Sequence, residues 1–236
     1  MKRIMKRLFL CLFLLYGISG FSVLWGQKKV SVLGDSYSTF GGFMSPSTNL
    51  CWYNGPDGGT EKKNNVKRVE QTWWHLLITQ MGYQLERNNS YSGSTICCTG
   101  YRKDDFSDRA FITRICNLGN PDIILVFGGT NDSWAKSPIG EYQYENWTKQ
   151  SLFYFRPAFA YLLHHLQELY PDAKVYNLIN SGLSQAVVSS MQTICHHYGI
   201  QSIQLYQIDK QLGHPSVQGM KSISEQVMAA IEKDEP

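Results

Sequence analysis

A serine hydroxyl is a poor nucleophile at neutral pH. It needs a base within hydrogen-bond reach and donors that stabilise the oxyanion its attack creates. Four short polar clusters hold residue types suited to such chemistry. They are Gly34-Asp35-Ser36-Tyr37-Ser38, the stretch from Asn89 to Thr95, Gly128-Gly129-Thr130-Asn131-Asp132, and His214-Pro215-Ser216-Val217-Gln218-Gly219. Ser36 supplies a candidate nucleophile and His214 a candidate base. Any one cluster alone is weak, because Gly-Asp-Ser strings arise by chance and Gly-Gly-Thr-Asn is an ordinary turn composition. The case rests on whether the chain can bring these clusters to one place.

The elements around them suggest that it can. Compact β-rich runs cover Val30 to Leu33, Tyr83 to Arg87, Ile123 to Phe127, Lys174 to Ile179 and Ile200 to Tyr206. Helical spacing of apolar residues covers Thr72 to Met81, Phe106 to Leu118, Gln150 to Tyr170, Leu183 to Tyr198 and residues 216–232. Pro157 lies inside the third of these and marks either a kink or the first turn. The five-residue apolar run at Ile123 suits a central parallel strand covered on both faces. Strand and helix in alternation predict a three-layer α/β/α sandwich around a parallel sheet of about five strands, in one domain over residues 27–236. In such sheets ligands bind beyond the carboxyl ends of the strands, and three of the four clusters directly follow predicted strands. The fourth sits just before the last helix.

In this order and on this scaffold, the clusters resemble those of the SGNH hydrolases, the GDSL-like esterase and lipase family. The serine block matches Gly34-Asp35-Ser36, the glycine block Gly93, and the Gly-x-Asn-Asp block Gly129 to Asp132. The histidine block matches His214, Pro215 and Gly219. The Gly-x-Ser-x-Gly elbow does not fit, since residue 38 is Ser. The resemblance implies a flavodoxin-like fold, no cofactor and no metal. It implies a serine esterase with an oxyanion hole made by the N–H groups of Ser36 and Gly93 and the side-chain amide of Asn131. Gly93 suits close main-chain approach to a substrate, and Asn131 offers a neutral donor that a carboxylate could not.

One position departs from the family pattern. The Asp usually found three residues before the histidine is here Gln211. Asp209, five before it, is the favoured third member of a Ser36–His214–Asp209 triad. The other option is a dyad whose ring is held by a backbone carbonyl or by the Gln211 oxygen. The implied substrates range over acetylated sugars, short esters, lysophospholipids and thioesters. O-acetyl groups on a carbohydrate are preferred, because Trp52 and Tyr53 in the long polar stretch from Tyr37 to Arg68 are candidates to stack on a substrate ring. A weak glycan-binding module on the same fold is the alternative from another class.

Charge and cysteine content narrow the setting. The 236 residues carry 22 Lys and Arg against 19 Asp and Glu. Four of the cations (Lys2, Arg3, Lys6, Arg7) precede the apolar run Leu8 to Tyr16, the layout of a secretory signal over residues 1–26. Without them 18 cations face 19 acids, so nucleic-acid binding loses its electrostatic footing. The expectation is export to the periplasm or beyond, with no stable membrane insertion after signal removal and a small-molecule or glycan ester as partner. Cys51, Cys97, Cys98, Cys116 and Cys195 remain, an odd number that leaves at least one free thiol in a single chain. The pairs His164-His165 and His196-His197 read as surface or helix-end residues.

Overall fold

The computed structural model describes residues 26–54 and 64–234. The cationic leader up to residue 25 and part of the long polar stretch, 55–63, lie outside the described residues. Five strands form one parallel sheet: β1 (Lys29–Gly34), β2 (Gln84–Ser90), β3 (Ile123–Phe127), β4 (Lys174–Ile179) and β5 (Gln201–Gln204). Their order is β2-β1-β3-β4-β5. The run at Ile123 is apolar throughout because both of its faces are covered. Ile124 and Val126 join one core cluster, while Ile123, Leu125 and Phe127 join the other.

Helices α1 (Trp73–Gln80) and α6 (Val217–Asp234) pack together on the second of these faces. Helices α2 (Phe111–Arg114), α4 (Phe155–Leu169) and α5 (Gln185–His197) close the first. Pro157 falls in the opening turn of α4, where its missing N–H costs no helical bond. The short α3 (Thr130–Ala135) starts on the Gly-Gly-Thr-Asn-Asp cluster itself. No helix of the described residues is long and apolar enough to cross a membrane.

Two expectations change. The helix expected over Phe106 to Leu118 survives only as the single turn α2. Its first half is drawn into other bonds: Phe106 N–H donates to the Cys98 carbonyl, Phe111 N–H to the Thr95 carbonyl, and Ser107 N–H to the Asp105 carboxylate. Strand β2 also runs three residues further than its apolar pattern suggests, because Asn88, Asn89 and Ser90 stay in register with β1 up to Gly34↔Ser90.

A two-stranded hairpin, β6 (Lys210–Gln211) and β7 (His214–Pro215), precedes α6. Its two turn residues, Leu212 and Gly213, have φ of 51° and 78°. Positive φ at both positions is what the tight primed hairpin turns require, and Leu is an uncommon occupant there. At the base of the hairpin, a Cβ on Gly219 would come within 2.1 Å of the Asp209 carbonyl oxygen, so α6 seats against the hairpin only with glycine at this position.

Candidate active site

The sheet order reverses direction at β1, which lies between β2 and β3. A crevice therefore opens beyond the carboxyl ends of β1 and β3. Ser36 follows β1 on a short 3-10 turn, Ser36–Ser38, capped by Asp35, whose carboxylate accepts the Tyr37 N–H at 3.0 Å. Asn131 stands in the first turn of α3, just after β3. His214 comes in on the hairpin, and its Nε2 lies 2.9 Å from the Ser36 hydroxyl oxygen. Residues at opposite ends of the described chain thus meet in hydrogen-bond contact, both nearly buried.

The third partner differs from the favoured expectation. Asp209 does not face the imidazole. Its carboxylate accepts the Ser216 hydroxyl, and its carbonyl accepts the Ser216 N–H at 3.1 Å. Gln211 is also turned away, accepting the Asn65 N–H at 2.9 Å. The atom next to His214 Nδ1 is the Leu212 carbonyl oxygen, at 3.2 Å. The cause is the turn: with Leu212 and Gly213 both left-handed, the chain folds back so tightly that the carbonyl two residues before the ring lies beneath it. A carbonyl can only accept, so Nδ1 carries the proton and Nε2 keeps its lone pair for the serine O–H. That is the tautomer a base needs. Asp209→Asn should therefore leave kcat and its pH profile within about twofold of wild type, because the tautomer is set elsewhere. Steady-state rates across pH check this, and a loss on the order of 100-fold or more would restore Asp209 to the mechanism.

Burial is the main reason that His214 titrates low, at about 4; the Lys210 ammonium adds to the effect and the Leu212 hydrogen bond opposes it. The ring lies in an aromatic setting. Trp52 stacks on it face to face, with centroids 3.5 Å apart and planes 5° from parallel. Tyr37 is tilted against it at 5.4 Å, and Trp134 and Tyr53 meet it edge-on at 6.0 and 6.4 Å. The hairpin is also clamped from outside. Tyr37 donates its hydroxyl to the Gly213 carbonyl at 2.5 Å, Tyr53 to the Pro215 carbonyl at 2.8 Å, and the Asn64 amide to the same Pro215 oxygen at 3.0 Å. Trp52 and Tyr53, expected as stacking surfaces for substrate, are thus engaged with the histidine and its hairpin. Tyr53 is fully buried, which removes it as a substrate contact.

The other residues expected as oxyanion donors lie on the Gly93 loop and on α3. Gly93 has φ of +81°, and a Cβ there would meet nothing within 4 Å, so its backbone conformation and not crowding calls for glycine. The Asn131 amide nitrogen donates to the Ser94 carbonyl at 2.9 Å and reaches the Asp35 carboxyl only at 3.4 Å. Its oxygen accepts the Tyr101 hydroxyl at 2.7 Å, which fixes which way the amide points. Behind this row, burial pushes Asp35 up to about 7 and Asp132 to about 6. Raising Asp35 lowers the negative charge standing behind a developing oxyanion at neutral pH. Asp132 accepts the N–H groups of Ile96 and Cys97 at 2.8 and 3.2 Å and so ties the Gly93 loop to α3.

Arg114 and Tyr101 are structural partners of this site that the sequence motifs do not contain. The buried Arg114 guanidinium donates to the Gly34 carbonyl and the Ser94 hydroxyl, both at 3.1 Å, and also bonds the Asn89 carbonyl. It joins the ends of β1 and β2 to the Gly93 loop. Its signal was a cation on the apolar face of the Phe106–Leu118 pattern, where Phe111, Ile115 and Leu118 also lie. Elsewhere, His164 and His165 share Glu168 on an exposed face of α4, with N···O distances of 3.3 and 2.7 Å. All five cysteines of the described residues are free, with Cys97, Cys98 and Cys195 buried.

Comparison with known proteins places the chain among relatives of the same architecture. The family profile for GDSL-like lipase/acylhydrolase matches residues 28–231. The chain is 63% identical to a protein named as a GDSL-like lipase from Bacteroides uniformis ATCC 8492, with a TM-score of 0.87 over 89% of this chain and 98% of that one. A second such protein, from Bacteroides ovatus ATCC 8483, is 52% identical, with a TM-score of 0.85 over 88% and 99%. A family two carbohydrate esterase from Clostridium thermocellum shares the fold at 14% identity, with a TM-score of 0.61 over 88% of this chain and 64% of that one. No curated protein matches the chain.

Proposed function

The chain belongs to the GDSL-like lipase/acylhydrolase family, and from that premise we propose that it is an exported serine esterase that removes O-acetyl groups from a carbohydrate through a Ser36–His214 dyad. The observation that carries the dyad is the pair of contacts on one imidazole: Leu212 carbonyl on Nδ1 and Ser36 hydroxyl on Nε2. Ser36 Oγ attacks the ester carbonyl carbon while its proton passes to His214 Nε2. The carbonyl oxygen becomes an oxyanion that takes the N–H groups of Ser36 and Gly93 and the amide hydrogen of Asn131 now held only by the long Asp35 contact. Collapse breaks the bond to the alcohol, which leaves with the proton from Nε2. Water then repeats the sequence on the acyl-serine: it gives a proton to His214, attacks, and the acid departs as Ser36 regains its hydrogen.

Support for a sugar alcohol comes from Trp134. Its indole is 43% exposed, lies edge-on to His214, and packs on Gly213 of the hairpin. Among the described rings around the histidine it presents the most surface to solvent, since Tyr37 and Tyr53 are buried and Trp52 is only partly exposed. A pyranose ring stacked there would place an acetyl group toward the dyad. Trp134→Ala should raise KM for an acetylated xylo-oligosaccharide about fivefold or more, while kcat/KM for 4-nitrophenyl acetate changes less than about twofold. Equal effects on both substrates would remove Trp134 from sugar binding.

A second reading, an ester with a longer acyl chain, draws on the exposed side chains of Leu212 and Leu50. Leu50 borders the Gly93 loop, since its carbonyl accepts the Ser92 N–H at 2.8 Å. The test is acetate release from acetylated xylan beside an acyl-chain-length series. Release of acetate with a steep fall beyond short chains supports the proposal. No acetate release alongside robust cleavage of long-chain esters overturns it.

A further inference from the structure

The dyad leaves one demand open. When Ser36 loses its proton, the imidazole becomes an imidazolium inside a nearly buried site, and among the described residues no carboxylate is hydrogen-bonded to it. The Leu212 carbonyl offers a dipole, but the Lys210 ammonium opposes the new charge. Lys210 itself is occupied, donating to the Ser181 carbonyl at 2.8 Å. Of the other titratable groups around the ring, Tyr37 and Tyr53 spend their hydroxyls on the hairpin carbonyls, and Asp35 stands behind the nucleophile, where it accepts the Tyr37 N–H.

Among the described residues, the electron-rich surface stacked on the ring is the indole of Trp52, with centroids 3.5 Å apart and planes within 5° of parallel. Its placement is built into the nucleophile's own turn. The Thr39 hydroxyl donates to the Ser36 carbonyl at 3.0 Å and accepts the Trp52 N–H at 2.9 Å. One residue on, the Tyr53 carbonyl accepts the Gly41 N–H at 2.8 Å, which closes the loop that carries Trp52. A single buried hydroxyl therefore couples the backbone of the nucleophile to the residue that covers the base.

Resting on the dyad reading above, we propose that Trp52 is a positioning residue for His214: its indole face holds the ring in register with Ser36 and stabilises the imidazolium formed in the transition state, a task that falls to a carboxylate in a triad. The indole is the strongest of the natural side-chain faces for a cation, and a desolvated contact of this kind is worth on the order of 10-fold or more in an equilibrium. The contact becomes stronger as the proton arrives, so its effect falls on kcat and not on KM.

The experiment compares Trp52→Phe with Trp52→Leu. Both replacements are apolar and shield His214 from water, but only Phe keeps a π face. With 4-nitrophenyl acetate, the Phe variant should lose no more than about 5-fold in kcat and the Leu variant on the order of 10- to 30-fold, KM staying within about twofold in both. The titration of the His214 ring, followed by NMR of its imidazole nitrogens, should sit lower in the Leu variant than in the Phe variant by about half a pH unit or more. This second readout needs no turnover. A pKa difference in a protein that hydrolyses no ester would sink the esterase reading and leave the stacking role standing. Identical titration in the two variants, or equal losses of kcat, would overturn the proposal by reducing Trp52 to packing. A rise in KM with kcat unchanged would do so as well, by making Trp52 a substrate contact.

Discussion

Ser36→Ala and His214→Ala should each lower ester turnover by at least about 10⁴-fold, with the double variant scarcely worse than either single one. The two side chains act as one unit, joined by the 2.9 Å contact between Nε2 and the hydroxyl, so removing either member removes the unit. What remains comes from the donors alone. Labelling by a fluorophosphonate should vanish in Ser36→Ala and slow sharply in His214→Ala, while thermal unfolding shows that both variants are folded. In the wild type, the pH profile carries the same signature. His214 must be neutral to accept a proton, and burial holds its titration near 4, so kcat/KM should stay high as pH falls through the ordinary histidine range and drop only below about 5. An acid limb near 6.5 would mean that the ring is hydrated in solution.

Asn131→Ala should have the next largest effect, a loss on the order of 10²- to 10³-fold in kcat with KM little changed. On the proposed mechanism the loss falls in the transition state, because the amide is to donate to the oxyanion and its contact with Asp35 is long, at 3.4 Å. Binding of a boronic acid that mimics the tetrahedral intermediate should weaken by a comparable factor. The variant also leaves the Ser94 carbonyl and the Tyr101 hydroxyl without their partner, which costs about 1–3 kcal/mol for a buried polar group. Kinetics should therefore be measured well below the lowered unfolding temperature. A loss under about tenfold, with boronate affinity unchanged, would assign oxyanion stabilisation to the two main-chain donors.

Strand β3 was readable because burial on both faces leaves no polar alternation to obscure it, whereas β2 and β5 are largely polar and give a weaker pattern. The contact between Ser36 and His214 was readable because their clusters sit at element boundaries, where loops converge. The residues that were not readable owe their roles to distant backbone. Asp209 looks like a triad member by chemical type, yet the left-handed turn at Leu212 turns it toward Ser216 and puts a carbonyl in its place. No composition rule anticipates a leucine with positive φ. Trp52 was recognised as a loop aromatic near the site, but its partner, a histidine far along the chain, follows only from the clamp of Tyr37, Tyr53 and Asn64 on the hairpin. Helix α2 failed at the level of pattern, since apolar spacing cannot reveal that the N–H groups of Phe106 and Phe111 go to Cys98 and Thr95.

The acceptor beneath His214 is part of the peptide backbone, and every one of the twenty amino acids would bring the same oxygen to position 212. Substitution can erase an aspartate in a single step, but it cannot erase this group. What the acceptor does require is the bend of the hairpin, with positive φ at Leu212 and Gly213. An engineer who wants to detune the base should target the tyrosine and asparagine clamps that hold that bend.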